Sequence, residues 1–123
     1  MSTTTHTTTF DLERFTRAAE ERDASTQVSM YGPDATVTII DKISQPGSPR
    51  VLRSPEEIAA WIEDTCARDM THSVKQRVHD DNGAAFTLAC RYANGTSVLC
   101  ATVIELAGGQ IADQTVVQAW DED

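Results

Sequence analysis

Apolar and polar residues alternate along the second half of the chain, and three glycine-containing turns interrupt the alternation. The turns are Asp81-Asn82-Gly83, Ala93-Asn94-Gly95 and Ala107-Gly108-Gly109. Glycine in third place is typical of three-residue hairpin loops, whose last residue takes a positive φ. The pattern therefore predicts a meander of four antiparallel strands in which even-numbered residues from 72 to 120 share one face.

The even-numbered face is predicted to be the inner one, because it carries most of the large apolar side chains. These are Val74, Val78, Phe86, Leu88, Cys90, Val98, Cys100, Ile104, Leu106, Val116 and Trp120. The odd-numbered face is more polar, but it is too apolar for open solvent because it also presents Leu99, Ala101, Val103, Ile111 and Val117. We therefore expect a homodimer that buries the outer sheet face.

Helical spacing of apolar residues precedes the meander. The spacing of Leu12, Phe15 and Ala18 predicts a first helix that starts near Phe10, and Asp23 is expected to cap a short second helix. The second helix is predicted to run through Met30 and to be ended by Tyr31-Gly32-Pro33-Asp34.

A strand, a loop and a third helix complete the N-terminal half. Residues Thr36–Asp41 are rich in β-branched side chains and predict a strand, and Lys42–Arg53 is predicted to be a loop or lid. Ser54-Pro55-Glu56-Glu57 then combines an N-cap serine, a proline in the first turn and a capping-box glutamate. This combination predicts the start of a third helix.

These elements predict an α+β fold, in which a curved antiparallel sheet wraps around three helices. The sheet would comprise the four-strand meander and one N-terminal strand. The domain is expected to span residues 10–120, between a threonine-rich tail at residues 1–9 and an acidic tail at residues 121–123.

Composition excludes several classes of partner. The chain has 123 residues and a formal net charge of −9, which argues against binding of nucleic acid or of an anionic membrane. No segment approaches the roughly 18 apolar residues of a membrane span. The three cysteines form no C-x-x-C pair and no charged-then-apolar leader is evident, so we expect a reduced, cytoplasmic setting.

Three segments resemble a known family. They are M-Y-G-P-D-A-T-V before the first strand, R-S-P-E-E-I-A-A-W at the third helix and G-G-Q-I-A-D-Q-T-V-V-Q in the last strand. Over about residues 10–120 the chain is similar to the nuclear-transport-factor-2-like, SnoaL-like cone fold of ketosteroid isomerases, limonene epoxide hydrolases and polyketide cyclases. This resemblance implies a cone with a deep apolar pocket for a small hydrophobic molecule, commonly in a dimer.

The catalytic residues of these relatives are not matched. Phe15, Ile39 and Thr102 stand where the isomerases carry a tyrosine, a general-base aspartate and a protonated acid. Gln114-Thr115-Val116 replaces the H-W-D of the cyclases, and Arg91-Tyr92-Ala93 lacks the acid of the hydrolases' Arg-x-Asp arrangement.

Two candidate bases remain. Asp41 shares a predicted strand face with Ile39, and His72 begins the meander; their simpler interpretations are a turn cap and a rim residue bonded to backbone. The predicted ligand-contacting residues are Phe15, Ile39, Trp61, Gln76, Phe86, Leu88, Tyr92, Cys100, Thr102, Gln114, Val116 and Gln118.

The assumed register also predicts neighbours within this set. His72 should lie opposite Tyr92, and Thr102 between Phe86 and Gln114. His72 and His79 should lie on opposite faces, so they form no metal-binding pair. No metal site is predicted, and no cofactor.

Three functions are compatible with the sequence. The first is binding of a hydrophobic metabolite without chemistry. The second is an isomerase or cyclase of secondary metabolism, or a SnoaL-like hydrolase, with Asp41 or His72 as the base. The third is a non-catalytic dimeric interaction protein. Inner-face polar residues disfavour the third and the missing acids disfavour the second, so we expect a small-molecule pocket, with catalysis left open.

Overall fold

A computed structural model describes residues 9–121 as three helices and a mixed six-stranded sheet. The elements are α1 (Leu12–Glu20), α2 (Ala24–Ser29), β1 (Tyr31–Ile40), β2 (Arg50–Leu52), α3 (Pro55–Ala67), β3 (Met70–His79), β4 (Gly83–Tyr92), β5 (Ser97–Ala107) and β6 (Gln110–Trp120). The strand order is β2-β1-β6-β5-β4-β3. The α+β prediction is confirmed. The predicted tails lie outside the described residues, apart from residues 9 and 121.

Side-chain caps fix where the helices begin. The carboxylates of Asp11 and Asp23 accept hydrogen bonds from the third backbone amides after them, at 2.9 and 3.1 Å. Ser54 Oγ accepts from Glu57 N at 3.2 Å, and Glu57 Oε1 accepts in return from Arg53 N at 3.0 Å. These contacts satisfy amides that the first helical turn leaves unpaired, and the predicted caps at Asp23 and Ser54 are confirmed.

The predicted face assignment is correct for β4 and β5. Their hairpin has a three-residue loop in which Gly95 takes a φ of 95° and the Tyr92 amide donates to Thr96 O at 2.9 Å. Within this pair Phe86 lies opposite Thr102, as predicted.

The predicted face assignment is wrong over the second half of β3. His79 pairs with Ala84, so odd-numbered residues in this half of β3 lie opposite even-numbered residues of β4. A bulge between Val74 and Gln76 shifts the register by one residue, and from Val74 back to Met70 even-numbered residues pair with even-numbered ones. Gln76 is consequently exposed on the outer face rather than directed into the fold, and Val78 beside it is 69% exposed. An extra residue in one strand reverses the faces of all residues beyond it.

The first half of β3 is also displaced along β4. His72 pairs with Cys90, not with Tyr92 as predicted, and Met70 takes the place opposite Tyr92. Both residues of the His72–Cys90 pair are buried on the inner face.

The turn between β5 and β6 is shorter than predicted. Gly108 and Gly109 both have positive φ angles, 61° and 79°, and Ala107 pairs with Gln110, so this loop has two residues. A bulge follows and turns Ile111 into the core, where it is fully buried. Its predicted position on the outer face is therefore wrong.

The register of β6 differs from the prediction by two residues. Thr102 lies opposite Val116 and not opposite Gln114, which pairs with Ile104 instead. Because the shift is even, Gln114 and Val116 still lie on the inner face.

The N-terminal part of the sheet contains more strand than predicted. β1 begins at Tyr31 and pairs in parallel with β6, and β2 lies inside the predicted loop Lys42–Arg53. β2 pairs antiparallel with β1, placing Leu52 opposite Val37. The sheet is therefore mixed and has six strands rather than the five predicted.

Gly83 approaches the backbone of β5 too closely for a larger residue. A Cβ at this position would lie 2.8 Å from the Ile104 carbonyl oxygen. We expect Gly83→Ala to lower the free energy of unfolding by about 1–3 kcal/mol, because the two strands must separate to relieve the clash. Urea denaturation measures the change. Gly47→Ala is the control, since no atom lies within 4 Å of the Cβ it would add; equal effects of both substitutions would contradict this account.

Candidate functional site

A cavity of about 320 Å³ lies between the helices and the inner face of the sheet. Phe15 and Ala19 of α1, Gln27 of α2 and Trp61 of α3 line it on the helical side. The sheet side is formed by inner-face residues of β1, β3, β4, β5 and β6. The alternation of side chains along each strand thus determines which groups the cavity exposes.

The structure brings most of the predicted site residues together. The residues that line the cavity are Phe15, Ile39, Asp41, Trp61, His72, Phe86, Leu88, Tyr92, Cys100, Thr102, Gln114, Val116 and Gln118. Gln76 does not belong to this set, because the bulge in β3 places it on the outer face.

Sequence reasoning missed several lining residues. The Gly32-Pro33 that follows Tyr31 predicts a helix-terminating turn, yet Tyr31 is the first residue of β1 and lines the cavity. Two signals were available: Tyr31 is aromatic, and its residue number is odd like that of Ile39, which lies on the inner face of the same strand. The alternation places Cys90 on the inner face, but the predicted register does not pair it with His72.

Tyr31 and Gln114 form a buried polar pair in the cavity wall. The Tyr31 hydroxyl donates a hydrogen bond to Gln114 Oε1. The Tyr31 ring packs edge-on against Phe15, with 6.0 Å between ring centroids. Burial raises the pKa of Tyr31 well above its ordinary value. The pair is therefore neutral at physiological pH.

His72 lies in the opposite wall of the cavity. The residue is 9% exposed, and its Nδ1 lies 4.0 Å from Cys90 Sγ. Nε2 is buried and has no hydrogen-bond partner within the part of the chain that the structure describes. This nitrogen is a polar group that the fold leaves unsatisfied.

The cysteines next to His72 have perturbed acidities. Contacts with the Cys100 thiol and with His72 lower the pKa of Cys90, against the opposing effect of burial. The same contact with Cys90, together with burial, raises the pKa of Cys100. Cys90 is therefore the more acidic of the two thiols.

Asp41 lines the cavity directly after the last residue of β1, where it stabilises a turn. Its Oδ1 accepts hydrogen bonds from Ile43 N at 3.0 Å and from Ser44 N at 2.7 Å. These bonds fit the turn-cap interpretation. A role of Asp41 as a base stays a prediction.

The rim of the cavity combines aromatic rings with cations. Tyr92 stacks on Trp120, with 5.9 Å between centroids, and Lys42 Nζ lies 4.4 Å from the Trp120 ring centroid. Arg68 donates to the Tyr92 hydroxyl at 2.9 Å and to Asp64 at 2.7 Å. The rim can therefore contact both a flat apolar group and a polar substituent.

The described residues offer neither a metal cluster nor a membrane-spanning helix. Within residues 9–121, no cluster of three or more His, Cys, Asp or Glu side chains is placed to hold a metal ion. None of the helices in this range has the length and apolarity needed to cross a membrane.

Comparisons with known proteins identify a family and a fold. The profile of the SnoaL-like domain family matches residues 12–114. No curated protein sequence matches the chain. The family match confirms the resemblance inferred from the sequence segments.

Solved structures show the same fold at low sequence identity. A ketosteroid isomerase-like protein from Kribbella flavida is 12% identical, with a TM-score of 0.73, over 91% of this chain and 76% of that protein. An NTF2-like protein of unknown function from Mesorhizobium loti is 10% identical, with a TM-score of 0.76, over 88% of this chain and 87% of its own. A cystatin-like-fold protein from Silicibacter pomeroyi is 15% identical, with a TM-score of 0.71, over 88% and 72%. These similarities establish the fold alone.

The raised pKa of Tyr31 predicts a change of stability at alkaline pH. Tyr31→Phe should lower the free energy of unfolding by about 1–2 kcal/mol at pH 8, because Gln114 loses its buried partner. The folded pKa lies above the unfolded value of about 10, so tyrosine's contribution is complete below pH 10 and declines as pH rises above it. The difference between the two proteins should therefore shrink by about 1 kcal/mol at pH 11. Urea titrations at both pH values measure it; a constant difference would contradict the burial argument.

Proposed function

We propose that this chain, which belongs to the SnoaL-like domain family, binds a small hydrophobic molecule in the cavity between its helices and its sheet. The observation that carries the proposal is a cavity of about 320 Å³ lined mainly by apolar side chains and neutral polar groups, with Asp41, Lys42, Arg50 and Arg68 as its charged lining residues. That volume lies within the usual range of small-molecule sites.

Apolar contact supplies the affinity in this proposal. Ile39, Phe86 and Val116 present side chains that the rest of the fold buries, and Leu88 and Trp61 extend the wall. A ligand that covers these groups removes its own apolar surface from water, which contributes roughly 25 cal/mol for each Å².

Neutral polar groups supply orientation. Thr102 and Gln114 are buried, and Gln114 is held by the Tyr31 hydroxyl. At the rim, Gln118 accepts a hydrogen bond from Trp120 Nε1 at 3.0 Å. The arrangement suits a ligand with an apolar body, one or two interior hydrogen-bonding groups and a polar end near Lys42 and Arg68.

Catalysis by Asp41 or His72 stays a prediction. The unsatisfied Nε2 of His72 supports a proton-transfer role in an isomerase or cyclase reaction. A ketosteroid isomerase-like protein with the same fold also supports this class of reaction. Asp41 supports such a role less well, because its Oδ1 already accepts two backbone hydrogen bonds.

A cytoplasmic location likewise stays a prediction, which rests on the cysteine pattern.

The outer face of the sheet supports a homodimer. Val78, Val103, Leu99 and Val117 are 69, 58, 50 and 44% exposed there, and the last three lie on the neighbouring strands β5 and β6. Burial of such an apolar patch against a second copy is favourable, and identical patches meet naturally about a two-fold axis. A purely structural dimer, with no ligand, is the alternative function.

Ligand binding can be tested with N-phenyl-1-naphthylamine, a neutral apolar fluorophore. We expect saturable fluorescence enhancement by the purified protein, and an affinity at least about tenfold lower for Leu88→Trp, which fills the cavity. Leu99→Trp is the matched control on the outer face of the sheet and should bind like wild type. Absence of saturable binding, or equal loss in both variants, would contradict the proposal.

The dimer can be tested by sedimentation velocity. Val103→Lys should raise the dimer dissociation constant by about tenfold or more, because an unpaired ammonium group is costly to bury. Ile43→Lys, at a position 86% exposed and outside the sheet, should leave the dimer unchanged. A wild-type protein that sediments as a monomer would overturn the dimer proposal and leave ligand binding unaffected.

A further inference from the structure

A thiol and an imidazole meet in the cavity wall formed by β3 and β4. Cys90 and His72 lie directly opposite each other in the sheet, with 4.0 Å between Sγ and Nδ1. Both line the cavity, and they are only 6% and 9% exposed. A molecule held in the cavity therefore has access to this pair while bulk water has little.

The second nitrogen of the ring has no partner. When Nδ1 accepts a hydrogen bond from the Cys90 thiol, Nε2 carries the ring proton, because a neutral imidazole has one donor and one acceptor nitrogen. Nε2 is buried without a hydrogen bond from residues 9–121. Since buried donors are normally satisfied, this nitrogen points to a ligand that brings an acceptor such as a carbonyl oxygen.

The electrostatic surroundings distinguish Cys90 from Cys66, which lines the same cavity. Contacts with Cys100 and His72 lower the pKa of Cys90, whereas burial raises the pKa of Cys66 on α3. The other titratable or charged groups that line the cavity are Tyr31, Asp41, Lys42, Arg50, Arg68, Tyr92 and Cys100. The sulfur of Cys90 is therefore more nucleophilic than the sulfur of Cys66 near neutral pH.

The position of Cys90 selects one kind of reaction. β4 is paired on both sides, so the backbone amides around Cys90 are engaged in the sheet. Acyl transfer commonly uses free backbone amides beside the nucleophile to stabilise an oxyanion, and those beside Cys90 are not free. Addition of a thiol to an electron-poor double bond needs no leaving group and only one proton donor at the carbonyl oxygen, a role that fits His72 Nε2.

We propose that the cavity captures α,β-unsaturated carbonyl compounds covalently through Cys90, with His72 transferring the proton. The sulfur of Cys90 forms a bond to the β carbon while its proton passes to His72 Nδ1. The electron pair of the carbon–carbon double bond shifts to give an enolate, and its oxygen takes the proton from His72 Nε2. The enol then converts to the saturated ketone. The product is a thioether, and His72 is neutral before and after the step.

This inference rests on the proposed small-molecule cavity, and it is tested on the wild-type protein first. Folded protein is incubated at pH 7 with 2-cyclohexen-1-one, and adducts at each cysteine are followed by peptide mass spectrometry. We expect Cys90 to be modified at least about tenfold faster than Cys66, which serves as an internal control in the same cavity. Equal rates, or an unmodified Cys90, would overturn the proposal.

Two variants test the role of His72. His72→Gln should slow the modification of Cys90 about tenfold or more, while His79→Gln, at the exposed end of the same strand, should not. In His72→Gln the rate should also fall about tenfold per pH unit below the ordinary thiol pKa of about 8.5, a steeper decline than in wild type. An unchanged rate and pH profile in His72→Gln would overturn the proposed proton transfer.

The outcome separates the two proposals about the cavity. If N-phenyl-1-naphthylamine binds reversibly and the enone leaves Cys90 unmodified, covalent capture is wrong and ligand binding stands. If the fluorophore also fails to bind, both proposals are wrong.

Discussion

The parallel pairing of β1 with β6 is the interaction on which the rest of the structure depends. It joins the N-terminal half of the chain to the meander, and it places Val37 and Ile39 beside Gln114 and Val116 in the interior. The helices precede and follow β1 in the chain, so this pairing also holds them over the inner face of the sheet. Without it, the two halves would be joined only by packing of the helices against the meander.

Displaced pairing within the meander then determines the chemistry of the cavity. The shift and bulge in β3 set His72 opposite Cys90 and remove Gln76 from the interior. In a regular hairpin with the expected loop, His72 would instead face Tyr92 near the rim. A two-residue change of register thus places His72 beside a buried thiol instead of beside an aromatic ring.

Local signals in the sequence were sufficient for much of the fold. The caps at Asp23 and Ser54 and the loop that ends at Gly95 depend on neighbouring residues, and they were predicted correctly. The bulges could not be predicted, because strand pairing over a distance decides them. The short strand β2 was missed for the same reason: its hydrogen bonds are made with β1. In the site, side-chain alternation identified most lining residues, but it could not give the His72–Cys90 pairing.

The open sheet has two edges, formed by β2 and β3. A free edge offers unpaired backbone groups to any extended chain and is a common origin of aggregation. β2 offers only three residues, and β3 is interrupted by its bulge next to the exposed side chains of Lys75 and Arg77. Irregular geometry and positive charge both oppose the addition of another strand. The bulge that reorganises the cavity wall therefore also protects the protein against assembly through its edges.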